Sequence, residues 1–495
     1  MSGADRTLTE RARDVNGFAP APGSLRRTEV HGRASAARRA PIELPSRPAC
    51  ARRANGMAPS SSPPDPGPTR FLLPLGERTV AYAPVDGAAL LLDAPLASLS
   101  ARRLERVLPA PAPPPAPRRG ELSPKLLGFV PTRRCDHACR YCGFAAAAPD
   151  GADLEPGDAT RALDWFARLC AREGRGELTV ELFGGEPLIL PELVERITVH
   201  AVDLGARLGV SPRLGVLTSG ATTDSIRALL ADHFSRVVVS IDGPPELHEQ
   251  LRPRAGTGRS YDAALRTLER TSAGEAEVVT RTCVTSASVG QLEAIAEHLL
   301  AAANPTEMSF EPLQPSAESE RWGLAPPDTA AFVGGFLRAE RRLERAGIRA
   351  VHATATLESV VSSFCPVGND GCIVGPGRTI SACYLRPATW QARGLDLELG
   401  TLGDDGAPSL DPARLAATRA LTVHGKPRCR GCFVRWHCAG ACHVQDTFPG
   451  CSPERSDRCR ITRGIAWGRL LVRLGLDDEL DRFLRAPEDI EERAV

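Results

Sequence analysis

The sequence predicts an α/β protein: a partial (β/α)6 TIM-like barrel followed by a small cysteine-rich C-terminal domain. From residue 126 to residue 312, short apolar runs alternate with amphipathic stretches of helical length. That alternation is typical of a parallel sheet. Nine of the 15 cysteines then lie between residues 365 and 459. Clustered thiols in a chain of this length favour metal or redox chemistry.

Six strands and the helices between them build the predicted barrel. The strands are predicted at Leu126 to Val130, Leu178 to Phe183, Leu214 to Thr218, Val237 to Ile241, Val278 to Val284 and Met308 to Pro312. The helices are predicted at Ala159 to Arg172, Glu192 to Leu208, Asp224 to Asp232, Tyr261 to Ser272 and Gln291 to Ala302. In such a barrel the active-site loops follow the carboxyl ends of the strands. The residues after each strand are therefore the candidates for a functional site.

The composition restricts the classes of function. A formal net charge of +1 argues against a general nucleic-acid binder, which usually carries a strong basic excess. The amino terminus lacks the apolar core of a signal peptide, and no apolar run approaches membrane-spanning length. We therefore predict no nucleic-acid partner and no membrane association. A reducing cytoplasm is the expected location, because an exported disulfide scaffold would need a signal.

Shifts in composition divide the chain into segments. The predicted segments are a disordered arm (1–68), a small N-terminal segment (69–108), a proline-rich linker (109–120), the barrel (121–315), a helical bridge (316–360), the cysteine-rich domain (361–465) and a C-terminal helix (466–495). The arm is rich in Arg, Ala, Pro and Ser, contains Cys50, and includes Met57 as an alternative start. The small N-terminal segment is either a peptide-docking unit or a hairpin that packs on the main domain.

The first cysteine cluster follows the first predicted strand directly. Cys135, Cys139 and Cys142 form a C-x3-C-x2-C loop. A four-iron cubane takes one ligand on each iron, so three thiolates leave one iron open for a substrate or cofactor. A structural zinc ion would need a fourth protein ligand, and His137 is too tightly placed beside its neighbours to serve easily. The loop therefore favours a four-iron cluster.

This loop resembles the signature of the radical S-adenosylmethionine (SAM) superfamily, with Tyr141 at the aromatic position before the third cysteine. The resemblance implies that SAM chelates the open iron through its amino and carboxylate groups. It also implies that an electron from the reduced cluster cleaves SAM to a 5′-deoxyadenosyl radical. The cofactor carries the chemistry while the protein orients it. The three cysteines would then be both cluster ligands and catalytic residues.

Motifs after the second and third strands extend the resemblance. Gly184, Gly185, Glu186 and Pro187 resemble the family's GGEP motif, which receives the SAM amino group. Glycine there suits a close approach of backbone to ligand. Ser219 stands where relatives often have asparagine. The resemblance therefore predicts these five residues as cofactor-binding.

The end of the fourth strand supplies the remaining predicted SAM contacts. Ser240 and Asp242 resemble the segment that contacts the SAM ribose. Arg252, four residues after His248, matches the arginine that pairs with the SAM carboxylate, a bidentate contact that suits a guanidinium. Each short motif alone is weak. Their order after successive strands makes a chance match improbable.

The C-terminal cysteines include a C-x2-C-x5-C-x3-C run and resemble the SPASM extension of peptide- and protein-modifying radical SAM enzymes. That extension is cluster-binding and holds two auxiliary four-iron clusters. The resemblance assigns the first group of ligands to Cys365, Cys372, Cys383 and Cys442, and the second group to Cys429, Cys432, Cys438 and Cys459. Three [4Fe-4S] clusters and SAM are thus the expected cofactors. Paired Cys-x2-Cys knuckles alone would also suit zinc.

Some details depart from the family pattern. Arg378 stands where relatives have a glycine, with Gly377 one place earlier. Cys451 is an alternative to Cys459 as the last ligand, but Cys459 lies nearer the usual distance and directly precedes a predicted helix. Cys170 and Cys283 are predicted to be buried small hydrophobes, as free cysteines commonly are.

Auxiliary clusters that accept an electron permit net oxidation. The resemblance therefore implies a maturase that cross-links or oxidises a ribosomally made peptide. A sulfatase-type maturase, which forms formylglycine, is the alternative; its family places an aspartate base where this chain has Tyr384. A non-catalytic iron-sulfur electron carrier is a further alternative, although it would not need the SAM-binding motifs.

The remaining expectations concern protons and partners. Tyr384, Glu311 and Asp370 are candidate proton-transfer groups, of which Tyr384 is the candidate catalytic residue. The expected partners are a peptide or protein substrate and an electron donor of the flavodoxin or ferredoxin type.

Overall fold

The computed structural model describes residues 67–99, 108, 110–144, 152–254, 259–446, 456–487 and 493–494. The predicted arm falls almost wholly outside the described residues, together with Cys50, Met57 and Cys451. In the small N-terminal segment the sequence also predicts a helix from Leu99 to Leu108, most of which lies outside the described residues.

The strands form two sheets and are numbered in chain order. They are β1 (Phe71–Leu75), β2 (Arg78–Ala83), β3 (Ala88–Leu92), β4 (Leu127–Phe129), β5 (Glu177–Leu182), β6 (Ser211–Thr218), β7 (Phe234–Ser240), β8 (Glu277–Val284), β9 (Glu307–Pro312), β10 (Arg349–Val351), β11 (Cys372–Gly375), β12 (Thr379–Ser381), β13 (Glu398–Leu402), β14 (Pro408–Leu410) and β15 (Arg493–Ala494).

The helices lie between these strands and after them. They are α1 (Pro156–Arg172), α2 (Pro191–Leu208), α3 (Asp224–His233), α4 (Pro245–Leu251), α5 (Ser260–Ser272), α6 (Leu292–Ala302), α7 (Ala317–Arg321), α8 (Thr329–Glu344), α9 (Pro387–Gln391), α10 (Pro412–Arg419), α11 (Arg435–Cys438), α12 (His443–Asp446), α13 (Asp457–Arg473) and α14 (Asp477–Arg485). Among the described helices, none combines the length and the apolar character that crossing a membrane requires.

The larger sheet is mostly parallel and has the order β10-β9-β8-β7-β6-β5-β4-β11-β12-β13-β14. The six predicted strands correspond to β4 through β9, and their apolar runs are buried because helices pack on the sheet. The sheet also extends in parallel at both ends, with β10 beside β9 and β11 beside β4. The sheet therefore contains two more parallel strands than the six that were predicted. Strands β10 and β11 were not predicted because runs of three and four residues are too short to show a period.

Two predicted segment boundaries differ from the structure. The bridge over 316–360 begins with α7 and α8, as expected, but it ends in strand β10. The C-terminal helix begins at Asp457, not at residue 466, so Cys459 lies in its first turn and does not precede it. That helix ends at Arg473, and α14 follows separately.

The small sheet has the order β15-β1-β2-β3 and is packed into the main core. Phe71 and Tyr82 belong to the same buried cluster as the barrel. Tyr82 is fully buried, and its hydroxyl lies 2.6 Å from Nε2 of His437, whose Nδ1 is 2.7 Å from the Ser359 carbonyl. Because a carbonyl only accepts, Nδ1 donates and Tyr82 donates to Nε2. The small N-terminal segment therefore packs on the main domain, which was one of its two predicted alternatives.

The end of the linker is tied to the cysteine-rich region by a buried ion pair. Arg419 donates to both carboxylate oxygens of Asp370, at 2.6 and 2.8 Å. It also donates to the carbonyls of Gly120 and Glu121, at 2.7 and 3.0 Å. Asp370 accepts in addition from the Ser123 backbone N–H at 3.1 Å. Asp370 therefore has a structural position and is not exposed for proton transfer.

We expect Asp370→Ala to lower the free energy of unfolding by about 3–5 kcal/mol, because it leaves the Arg419 charge buried without its partner. Asp203→Ala is the matched control: Asp203 pairs with Arg207, and both side chains are 57% exposed. Its effect should stay within about 0.5 kcal/mol. Chemical denaturation of both variants measures the difference, and equal losses would contradict this account of the pair.

Candidate functional site

The cysteine loop leaves the carboxyl end of β4 and is held by backbone hydrogen bonds on one side. The N–H of Ala138 donates to the Pro253 carbonyl at 2.8 Å, and the N–H of Arg140 donates to the Leu251 carbonyl at 2.9 Å. The loop therefore runs beside the segment that carries Arg252. The two motifs, more than 100 residues apart in sequence, meet at one edge of the sheet.

Gly184 and Gly185 hold the other side of the same loop. The N–H of Gly185 donates to the Thr132 carbonyl at 3.0 Å, and the N–H of Glu186 donates to the Arg134 carbonyl at 2.8 Å. A Cβ atom on Gly185 would lie 2.0 Å from the Arg134 carbonyl oxygen, and one on Gly184 would lie 2.6 Å from that of Thr132. The glycines are thus required by the approach of the cysteine loop itself.

Glu186 is almost fully buried and joins the second and third strand ends. Its Oε1 accepts from the Thr218 hydroxyl at 2.7 Å and from the Leu188 N–H at 3.0 Å. Its Oε2 accepts from the Ser219 N–H at 2.6 Å. Each carboxylate oxygen can accept about two hydrogen bonds, and among the described residues Oε2 accepts one. Pro187 opens the short turn that Glu186 caps.

Tyr141, Asp242 and Arg252 form one hydrogen-bonded chain behind the cysteine loop. Tyr141 donates to Asp242 Oδ2 at 2.6 Å, and Arg252 Nη1 donates to the Tyr141 hydroxyl at 2.5 Å. Asp242 is fully buried, and its Oδ1 accepts from the Cys283 N–H at 2.9 Å. Burial raises the pKa of Asp242 although Arg252 opposes the rise. Cys283 is therefore part of this site, which its prediction as a plain hydrophobe did not include.

His248 supports the same chain from behind. It is 1% exposed, and its Nδ1 accepts from the Asp242 backbone N–H at 3.3 Å, while its carbonyl accepts from the Arg252 N–H at 2.7 Å. Burial, with the charge of Arg252, lowers the pKa of His248 to about 2. The imidazole is therefore neutral at physiological pH and acts as a fixed acceptor.

Asp136 and His137 test whether a single metal ion fits the loop. Their ligand atoms and the Cys135 thiol all lie within 4.8 Å of one another. However, His137 Nδ1 lies 2.7 Å from Asp136 Oδ1, and Arg254 Nε donates to Asp136 Oδ2 at 2.8 Å. Burial raises the pKa of Asp136, but these two partners outweigh it and the net pKa is lowered. Both oxygens are engaged within the protein, so the three thiols fit a cluster better than these residues fit one ion.

The thiols of the loop lie in a protected environment. Burial strongly raises the pKa of Cys135, with Glu186 adding to the rise. Burial also raises the pKa of Cys139 to about 11 although Arg252 opposes it. Because metals bind thiolates, these thiols must release protons when a cluster forms. Nearby Arg252 supplies a positive charge for that step.

The first predicted group of C-terminal cysteines contains three mutually close thiols. Burial, together with the neighbouring Cys442, raises the pKa of Cys365 to about 12. Burial raises the pKa of Cys383 to about 12 as well, with Cys365 and Cys442 contributing. Cys372 is fully buried at the start of β11, and burial with Asp370 raises its pKa to about 12. A cubane places each thiolate on a different iron, so close but separate thiols suit it.

The second predicted group is arranged around Cys438. Burial raises the pKa of Cys438 strongly, and Cys429, Cys432 and Cys459 all add to the rise. These contributions indicate that the other three thiols lie near Cys438, and the assignment of the four to one cluster stays a prediction. Cys459 also accepts a contact from the Ser456 hydroxyl at 3.5 Å.

Tyr384 lies inside the barrel, between the two cysteine regions. Its hydroxyl is 3.5 Å from Glu181 Oε2, and its ring packs edge-on against Phe183 with centroids 5.1 Å apart. A Cβ atom on Gly128 would lie 2.5 Å from the Tyr384 hydroxyl, so β4 must carry glycine there. Burial raises the pKa of Glu181, and Arg236 opposes the rise. Glu181 is thus a half-buried carboxyl that no sequence motif indicated, although a charged residue inside an apolar strand is itself a signal.

The other candidates have local partners. Glu311 Oε1 accepts from the Ala353 N–H at 2.9 Å and its Oε2 lies 3.6 Å from His352. Ser219 is 6% exposed, and Ser240 is half-buried at the end of β7. Arg254, which pairs with Asp136 in the cysteine loop, was not predicted as a site residue. It belongs to no motif, although it follows Arg252 by two residues.

Comparisons with known proteins agree with this geometry. Residues 129–295 match the family model of the radical SAM superfamily. The chain is 32% identical to the PqqA peptide cyclase of Methylorubrum populi over 136 residues, which are 26% of this chain and 33% of that protein. It is 27% identical to the AdoMet-dependent heme synthase of Nitratidesulfovibrio vulgaris over 144 residues, 29% of this chain and 35% of that protein. The chain thus matches about a third of the length of these curated relatives.

A solved structure shows the same fold over most of the chain. The histidine-tagged protein anSMEcpe with bound AdoMet superposes with a TM-score of 0.56 at 16% sequence identity. The superposition covers 72% of this chain and 98% of that chain. Residues 129–295, which match the model of the radical SAM superfamily, lie within a mostly parallel sheet that fits a partial TIM-like barrel.

Proposed function

We propose that this protein is a radical SAM enzyme that oxidatively modifies a ribosomally made peptide, by a cross-link or a side-chain oxidation. The observation that carries the proposal is the meeting of the cysteine loop with Glu186 and with the Tyr141–Asp242–Arg252 chain. The PqqA peptide cyclase that the chain resembles acts on a peptide, as its name states. The related fold of anSMEcpe has been solved with both AdoMet and the Cp18Cys peptide.

Cys135, Cys139 and Cys142 would hold a four-iron cluster with one open iron. When bound, that cluster supplies the electron that cleaves SAM reductively. The residues around it bind and orient the cofactor: Glu186 offers its remaining Oε2 position to the SAM amino group, and Arg252 offers its guanidinium to the SAM carboxylate. Because the polar side chains are already fixed by their neighbours, they need little rearrangement when SAM binds.

The C-terminal cysteines would hold two auxiliary four-iron clusters in a SPASM-type domain, with the ligand groups assigned above. The proximity of Cys365, Cys383 and Cys442, and of Cys438 to its three partners, supports that grouping. An auxiliary cluster gives a place for the electron that an oxidation releases. An electron donor of the flavodoxin or ferredoxin type would reduce the protein.

A sulfatase-type maturase is the second candidate, because its family shares this layout of clusters. At the position of its aspartate base this chain has Tyr384, whose hydroxyl lies near the half-buried Glu181 carboxyl. A neutral phenol is a much weaker base than a carboxylate, which favours the peptide maturase. An iron-sulfur electron carrier would bind clusters without cleaving SAM.

The edge of β3 that has no neighbouring strand among the described residues is a proposed docking place for the peptide. Its five residues, Ala88–Leu92, contain no charge and no proline, and β3 has a strand neighbour on one side only among the described residues. Natural edge strands usually carry a charge or a proline that prevents further pairing. An extended peptide could add to this edge as a further strand.

Anaerobic reconstitution should give about twelve irons per chain, and dithionite with SAM should yield 5′-deoxyadenosine. In Cys135→Ala, Cys139→Ala and Cys142→Ala the product should be absent and about four irons should be lost. This result is expected because these three thiols would hold the cluster that cleaves SAM. Full clusters without SAM cleavage in the unaltered protein would favour the electron carrier instead.

The last auxiliary ligand can be tested with a matched pair of variants. Cys459→Ala should lose about four irons, whereas Cys451→Ala should keep about twelve. Metal analysis and the electron paramagnetic resonance of the reduced protein measure both. The reverse pattern would assign Cys451 as the ligand, and zinc in place of iron would reject the auxiliary clusters.

Peptide docking can be tested with Leu90→Lys, since Leu90 is 38% exposed on β3 and lysine protects sheet edges. With the peptide encoded by a short neighbouring reading frame as probe, we expect binding at least about tenfold weaker. Hydrogen exchange over residues 88–92 should slow when the peptide binds the unaltered protein. Val199→Lys, at a 59% exposed position on α2, is the control; equal weakening by both variants would contradict docking at β3.

A further inference from the structure

The turn between Cys438 and Cys442 has an unusual backbone. Ala439, Gly440 and Ala441 are all left-handed, with φ of 47°, 75° and 59°. That region suits glycine but is unfavourable for alanine, because its Cβ approaches the following carbonyl. Two buried alanines in it require surroundings that hold the turn in place. The turn joins one cysteine of each auxiliary group, so its shape fixes how the two groups are placed.

Lys426 is the side chain that holds this turn. Its Nζ donates to the Gly440 carbonyl at 2.6 Å and to the Ala441 carbonyl at 3.1 Å. A Cβ atom on Gly440 would lie 2.4 Å from Lys426 Cδ, so the lysine stem lies directly against the glycine backbone. The contact needs both partners: a small residue at 440 and a slender, charged side chain at 426.

A lysine here stands out against the rest of the chain. Of 61 lysine and arginine residues, only Lys125 and Lys426 are lysines. Nearly every other basic position in this chain has arginine. An ammonium is a compact donor on a flexible stem, whereas a guanidinium is a planar fork that needs more space. Because the Lys426 stem lies against the Gly440 backbone, we expect the compact ammonium to fit this position better than the planar guanidinium.

The ammonium of Lys426 lies on the short segment that joins the two groups of thiols. It contacts the carbonyl of Gly440, which is two residues from both Cys438 and Cys442, and the carbonyl of Ala441, which directly precedes Cys442. Net charge and hydrogen bonds near a cluster set its reduction potential. One ammonium at this position therefore influences both sites.

We propose that Lys426 is a positioning residue shared by the two auxiliary clusters, whose ammonium holds the Ala439–Gly440–Ala441 turn so that Cys438 serves one cluster and Cys442 the other. The proposal rests on the proposed function, since it requires both auxiliary clusters. It adds that the two clusters are coupled through one side chain and that arginine cannot replace it.

The test compares Lys426→Met, Lys426→Arg and Lys125→Arg in the full-length reconstituted protein. Iron and sulfide per chain and the midpoint potentials of each cluster signal are measured. Lys426→Met should lose the iron of both auxiliary clusters or move both of their potentials to more negative values, because a positive charge is removed. Lys426→Arg should also lose auxiliary iron or shift both potentials. The positive charge remains in this variant, but a planar guanidinium replaces the compact ammonium that contacts the two carbonyls. Lys125→Arg, at an exposed position, should match the unaltered protein.

The SAM cluster is the internal control for folding, because its signal changes when SAM is added and its ligands lie on another loop. That signal should persist in all three variants. Unchanged iron and potentials in Lys426→Met, a change confined to one auxiliary cluster, or full recovery by Lys426→Arg would each overturn the proposal. About four irons in the unaltered protein would instead reject the auxiliary clusters themselves, and this proposal with them.

Discussion

The site depends on one constraint: the backbone of the cysteine loop is held between two strand ends. On one side, the carbonyls of Thr132 and Arg134 accept the N–H groups of Gly185 and Glu186. On the other, the loop donates to the segment around Arg252. Backbone groups buried without partners are costly, so this pairing fixes the loop before any cofactor binds. The thiols, the Glu186 carboxylate and the Arg252 guanidinium take their places from it.

The polar groups behind the loop are hydrogen-bonded mainly to one another. Asp242 accepts hydrogen bonds from Tyr141 and from the Cys283 N–H, and its own N–H donates to His248. Among the described residues, however, Arg252 Nε is buried without a hydrogen-bond partner. Unpaired polar atoms in a low-dielectric interior are costly, so Arg252 Nε, together with Glu186 Oε2, which accepts one hydrogen bond, indicates where a polar ligand can be received.

The sequence predicted the parts of the fold and site that leave a local pattern. Strands β4 to β9 were predicted because each lies in a buried apolar run, and Glu186 and Arg252 because they stand in short motifs. Strands β10 and β11 were not, since three or four residues carry no period. Arg419 and Asp370 are separated by 49 residues in the sequence. Glu181 and Tyr384, which are in contact, are separated by 203 residues. Nothing local marks such pairs, because the sheet order creates them.

The sheet also determines how the two cysteine regions face each other. Cys372 lies beside Leu127 at the amino end of β4, whereas the cysteine loop leaves the carboxyl end of that strand. The strand β4 therefore lies between Cys372 and the start of the cysteine loop. Phe144, Phe183 and Tyr384 pack in succession, with ring centroids 5.5 and 5.1 Å apart. Since Phe144 follows Cys142 by two residues and Tyr384 follows Cys383 directly, this row of aromatic rings links the two cysteine regions.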